Sequence, residues 1–145
     1  MLCRVMAGTD TDLSQSIEQL SGVDWGQPEA SATLMIKRCF ALVKKPLNRL
    51  GNDEIRLAVS QKIGDPFIID LAMARLEADP LLDAEHYPGD LLAALVRAGD
   101  DFWKERTGLR ERLSTHYNYA LQQPLDITGT FRESLGLSLH FGDPN

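Results

Sequence analysis

Between Gly64 and Val96 the chain carries two apolar runs divided by proline punctuation, and no other stretch limits the fold as much. Gly64-Asp65-Pro66 is a helix start. A carboxylate there can cap free N–H groups, and a proline in the first turn loses nothing by lacking its own N–H. Phe67, Ile68, Ile69, Leu71, Ala72, Met73, Ala74 and Leu76 leave little polar face, so this helix is expected to be buried on most sides. Pro80 ends it, because the residue before a proline is pushed out of the helical region. Pro88-Gly89-Asp90 opens a second helix with Leu91, Leu92, Ala93, Ala94, Leu95 and Val96. Two oily helices on a short linker predict a central hairpin on which other helices pack.

The flanking sequence also reads as helix. Asp12 can cap a short helix with Leu13, Ile17 and Leu20 at helical spacing, ended at Ser21-Gly22. Asp24-Trp25-Gly26-Gln27-Pro28 forces a turn whose tryptophan either plugs a core edge or anchors a partner. A second helix is expected over 30–44, with Leu34, Ile36, Cys39, Phe40 and Val43 as its apolar stripe and Pro46 as its stop. Asn52 caps a third, with Ile55, Leu57, Ala58, Val59 and Ile63 inward and Gly64 as the left-handed cap. Gly99-Asp100-Asp101 restarts a helix in which Leu109, Leu113, Tyr117 and Leu121 recur at steps of four, with Gly108 a candidate kink and Pro124 the end. Thr130 with Glu133 suggests a last short helix to Leu135. Residues 1–11 and 137–145 read as extended or frayed. The expected fold is all-α: one compact domain over 1–145, a bundle or array of five or six helices.

The joint between the two apolar runs, Asp79-Pro80-Leu81-Leu82 and then Glu85-His86-Tyr87-Pro88-Gly89-Asp90-Leu91-Leu92, resembles a segment of contact-dependent growth inhibition (CDI) immunity proteins. Gly22-Val23-Asp24-Trp25-Gly26-Gln27-Pro28 agrees with it. So do Lys44-Lys45-Pro46-Leu47, Asp53-Glu54-Ile55-Arg56, Gln61 and Ile63-Gly64. The resemblance runs over roughly residues 17 to 96, and the tail after Leu113 shows none. It implies a small bacterial protein that binds and silences the toxin domain delivered by neighbouring cells. The implied mechanism is stoichiometric occlusion, with no turnover and no cofactor.

Charge adds a direction to that expectation. The net charge is −6, unevenly spread. Lys37, Arg38, Lys44, Lys45 and Arg49 fall within 35–50 without an acid. Eight acids fall between Glu77 and Glu105 against Arg97 and Lys104 alone. An acidic patch repels nucleic acid and attracts a basic protein, although charge blocks are also ordinary solvated surface. If the toxin is a nuclease its cleft is positive, and an acidic surface mimics the substrate. The expected toxin-binding residues are therefore Asp79, Asp83, Glu85, Asp90, Asp100 and Asp101, with Tyr87 or Trp103 as aromatic anchor. Tyr87-Pro88-Gly89-Asp90 recurs across the resembling family, which favours a scaffold role for it and leaves Asp79, Asp83, Asp100 and Asp101 as the better contacts.

Catalysis finds little footing in the residues. His86, His116 and His140 lack the spacing of helical metal ligands, and Asp100 and Asp101 diverge by roughly 100° on a helix. Asp79, Asp83 and Glu85 lack the calcium-loop pattern. Neither an enzyme nor a metal or cofactor is expected. Cys3 and Cys39 make no disulfide framework, and Cys39 among apolar neighbours fits a reducing compartment. Residues 1–8 are too short, and interrupted by Arg4, for a signal peptide or membrane span, so a cytoplasmic protein without membrane contact is expected. The alternative is a helical regulatory or adaptor domain touching nucleic acid through the basic 37–49 stretch. That stretch lacks interleaved aromatics, and its cations also suit a helix C-terminus, so nucleic acid is the weaker partner.

Overall fold

A computed structural model describes residues 11–137. The expected extended or frayed ends, apart from Thr11 and Leu137, lie outside the described residues. Eight α-helices and one short 3-10 turn account for the described chain, and two isolated bridges, Ser16 with Pro46 and Asp83 with Pro88, are its only β-type pairings. The all-α expectation holds, with more and shorter helices than the sequence suggested. The contacts gather into two compact units, Met1–Asp70 and Leu71–Asn145.

The first unit holds α1 (Ile17–Ser21), α2 (Leu34–Leu42), the 3-10 turn Leu47–Arg49, α3 (Asn52–Gln61) and the start of α4 (Phe67–Ala78). Ser16, not Asp12, caps α1: its hydroxyl accepts the Gln19 N–H at 3.2 Å while the Gln19 side chain accepts the Ser16 N–H at 2.8 Å. Asp12 instead holds the Ser14 N–H and hydroxyl in a local turn, which keeps its carboxyl below the usual range. Thr33 caps α2, which starts later than the hydrophobic pattern implies. Leu34 is 74% exposed and Met35 and Ile36 are also exposed, while Cys39, Leu42 and Val43 are buried. The expected stripe is thus wrong at 34 and 36. Periodicity marks apolar residues but cannot show how far along α2 its partner α3 reaches. Burial pushes the Cys39 thiol up, in keeping with an inert core cysteine.

Asn52 is the first residue of α3 and Gly51 is its cap; the Gly51 N–H donates to the Glu54 carboxylate at 2.8 Å. Lys62, at φ 58°, takes the left-handed closing position expected of Gly64. Gly64 has its own reason to be glycine. Its φ is +77°, and a Cβ there would lie 2.7 Å from both Ile17 and Ile68.

The second unit holds the remainder of α4, α5 (Asp90–Val96), α6 (Asp100–Trp103), α7 (Thr107–Leu121) and α8 (Leu125–Ser134). Ile68, Ile69, Ala72, Met73 and Leu76 of α4 are buried, as are Leu91 through Leu95 of α5. Both apolar runs are core, as read. Their hairpin pairing is not the organising contact: α5 packs most closely on α7 and α8, and α6 on α7. A helix buried all round, as α5 is, carries no sequence mark of which neighbour covers which side.

The single helix expected from Gly99 onward is two. Arg106 leaves the helical region, and its N–H closes a tight turn on the Trp103 carbonyl at 2.9 Å. Gly108 is the second residue of α7, inside a continuous helix. Pro124 ends α7 and starts α8 at once, so Thr130 is interior rather than a cap. Buried Arg132 donates to the Leu121 carbonyl at 2.5 Å and to the Thr128 hydroxyl at 3.3 Å, and so satisfies the open end of α7.

Candidate functional site

The segment between α4 and α5 is a built loop. The Leu81 N–H donates to the Asp79 side chain at 3.2 Å, the Leu82 N–H to the Asp79 carbonyl at 3.1 Å, and the Gly89 N–H to the Leu81 and Leu82 carbonyls. Asp90 holds the middle. Its carboxylate, 3% exposed, accepts three backbone N–H groups: Ala84 at 2.7 Å, Glu85 at 3.0 Å and His86 at 2.9 Å. A carboxylate with several N–H donors is the stronger kind of hydrogen-bond acceptor, so it fixes the path of the loop. Gly89, at φ +89°, brings the backbone against Phe131, whose ring a Cβ would meet at 2.9 Å.

The acids named from the sequence therefore separate. Asp79, Asp83 and Glu85 are exposed on this braced loop. Asp90 is turned inward and is a brace, not a contact. Tyr87 is half-buried, and its carbonyl accepts the Asp90 N–H. Trp103, only 4% exposed, donates its indole N–H to the Leu95 carbonyl at 2.9 Å, so it is no protruding anchor. Of the residues named as toxin contacts, Asp90 and Trp103 are the two whose side chains the fold buries and hydrogen-bonds internally, in keeping with the scaffold role favoured for Asp90.

Asp100 and Asp101 are exposed but lie past the other end of α5. A helix of seven residues advances about 10 Å, so the acids form two groups rather than one rim. They also differ in company. No lysine or arginine occurs from Glu77 to Val96, whereas Arg110 lies 3.6 Å from Asp100 and Lys104 lies 3.8 Å from Asp101. The acid-rich window ends at Glu105, just short of Arg106, Arg110 and Arg112, which a window reaching into α7 includes. Arg112 pairs with Glu77, and Arg106 stacks over the Phe102 ring at 4.0 Å.

The basic stretch is largely matched within its own unit. Lys44 meets Glu18 at 2.7 Å, Lys45 meets Glu54 at 2.7 Å and Arg38 approaches Asp53 at 3.5 Å. The Lys44 hydrogen bond, together with the Trp25 N–H, holds Glu18 below the usual carboxylate range. Burial pushes Glu54 up, but Lys45 and the Gly51 N–H outweigh it and leave that carboxyl lowered too. Glu18 thereby fastens the turn carrying Trp25, whose ring meets Phe40 edge-on at 5.1 Å. Of the histidines, His86 is exposed beside Glu85, and His116 is partly buried, which pushes its pKa down; His140 lies outside the described residues. Among the described residues no group of three or more His, Cys, Asp or Glu side chains could hold a metal ion, and no helix is long and apolar enough to cross a membrane.

Fold and surface together define a small helical protein whose most distinctive exposed feature is a rigid acidic loop. Residues 19–113 match the family described as CDI immunity proteins, a span of more than half the chain that includes the whole loop and both acidic groups. The chain belongs to that family. No curated protein and no solved structure matches it.

Proposed function

We propose that the protein neutralises a cognate CDI toxin domain by binding it one to one in the cytoplasm of the cell that makes both. It acts by occlusion, without turnover and without a cofactor. Membership of the immunity family over residues 19–113 is the observation that carries this reading. The exposed carboxylates Asp79, Asp83 and Glu85, on a stretch without lysine or arginine, supply its electrostatics. They suit a basic partner such as a nuclease cleft, whose positive potential would draw the two proteins together faster than neutral surfaces meet. Asp100 and Asp101 contribute a second, weaker contact.

The gene should adjoin one for a very large secreted protein with a variable C-terminal end. Co-expressing that C-terminal domain with this chain tests the reading directly. Rescue of growth and co-purification of a one-to-one complex are expected. Toxicity that persists beside well-folded protein, or preferential retention of the chain on DNA, would overturn it.

A further inference from the structure

The loop that carries Asp79, Asp83 and Glu85 closes at Gly89, whose N–H donates to the Leu81 and Leu82 carbonyls at 3.2 and 3.1 Å. That corner rests on α8. A Cβ on Gly89 would lie 2.9 Å from the ring of fully buried Phe131 and 3.3 Å from the Leu81 side chain. The ring is held in turn. The Tyr117 ring meets it at a tilt of 57°, with centroids 6.3 Å apart. Arg132 bonds the Leu121 carbonyl, and Arg97, just past α5, donates to the Ser134 carbonyl at 2.9 Å, so α8 is tied both to α7 and to the exit of α5. The family match ends at Leu113: it includes the loop and excludes the helix on which the loop rests.

We propose that Phe131 is a positioning residue for toxin binding, which acts by fixing where the loop presents Asp79, Asp83 and Glu85. The proposal rests on the toxin-binding reading above. Asp90 ties the middle of the loop through the Ala84, Glu85 and His86 N–H groups, and Phe131 supports the corner at which both legs meet. A close-packed interior answers a shortened side chain by moving its neighbours inward, and the neighbour here is Gly89. Trimming the ring therefore lets the corner settle and carries the carboxylates with it. The long-range field, which sets the rate of encounter, depends on how many charges there are and hardly on so small a shift. Short contacts with a bound partner do depend on it, so the effect falls on dissociation. α8 is thereby part of the binding machinery although it lies outside the matched span.

The probe is the purified C-terminal domain encoded by the adjoining gene. Phe131→Leu keeps the site apolar but removes the ring. Dissociation from that domain is expected to quicken about tenfold, while the low-salt association rate stays within about twofold of wild type. Amide hydrogen exchange at Ala84, Glu85 and His86 should quicken as well, because the corner opens locally. Leu113→Val trims the same core beside Val96 and Trp103, at the other end of α5, and should leave those three amides at their wild-type exchange. Should Phe131→Leu fold poorly, Phe131→Met takes its place with the same readouts. Wild-type dissociation or wild-type exchange in the folded variant, or an equal gain of exchange in Leu113→Val, would overturn the positioning role while leaving toxin binding intact. If the wild-type chain itself does not bind, the functional reading fails, and exchange at the three amides still decides whether the ring holds the loop.

Discussion

The two ends of α5 carry the same chemical group in opposite settings. At its N-terminal end Asp79, Asp83 and Glu85 stand on a loop tied down by the buried Asp90 carboxylate, in a stretch without lysine or arginine. At its C-terminal end Asp100 and Asp101 stand on a four-residue helix with Arg110 and Lys104 beside them. Carboxylates in a stretch without cations project a field; carboxylates set beside arginine and lysine largely cancel their own. Counting carboxylates treats the two ends as equal. Their neighbours make them different.

Removing the brace is the strongest way to break the contrast. Asp90→Ala strands three N–H groups, and we expect it to cost about 3 to 4 kcal/mol in chemical denaturation. A loss below about 1 kcal/mol would mean the loop stands without its carboxylate. Gly89→Ala comes next, at about 2 to 3 kcal/mol, since it forces a left-handed φ on alanine and pushes a methyl into Phe131.

Charge reversal compares the ends directly. Asp79→Lys with Asp83→Lys should slow association with the toxin domain about tenfold or more at low salt, while Asp100→Lys with Asp101→Lys should slow it less than about threefold. Equal effects, or rates identical at about 50 and 500 mM salt, would erase the distinction.

Pairing in the first unit gives the smallest signal. The folded-state pKa of Glu54 is lowered, so its contribution is full above the ordinary glutamate value of 4.5 and fades as pH falls through the folded value beneath it. Glu54→Gln should therefore lose slightly less stability than wild type on acidification from about pH 5 to 3, an effect kept small by solvent screening. An identical acid slope in the two proteins would show that the Lys45 pair contributes nothing.

Much of this was written locally. Helix starts and stops at Asp65-Pro66, Pro80, Pro88-Gly89-Asp90 and Pro124 could be read directly, because proline and glycine constrain the backbone wherever they occur. The caps were harder: Ser16, Gly51 and Thr33 took positions that Asp12, Asn52 and an earlier start seemed to claim, since several nearby residues could each satisfy the same free N–H groups. The scaffold role of Asp90 was legible from its place in the Tyr87-Pro88-Gly89-Asp90 motif, but its three bonds back into the loop were not.

By itself, then, the sequence determined the all-α class, the two buried apolar runs, the family and the acidic bias. Each is a property of short stretches, of periodicity, proline placement and composition. Only the tertiary structure decided that α5 packs on α7 and α8, that Leu34 and Ile36 face outward, and that Arg110 comes round to Asp100. These are contacts between distant parts of the chain, and a side chain's exposure and electrostatic company belong to the neighbours the fold brings to it.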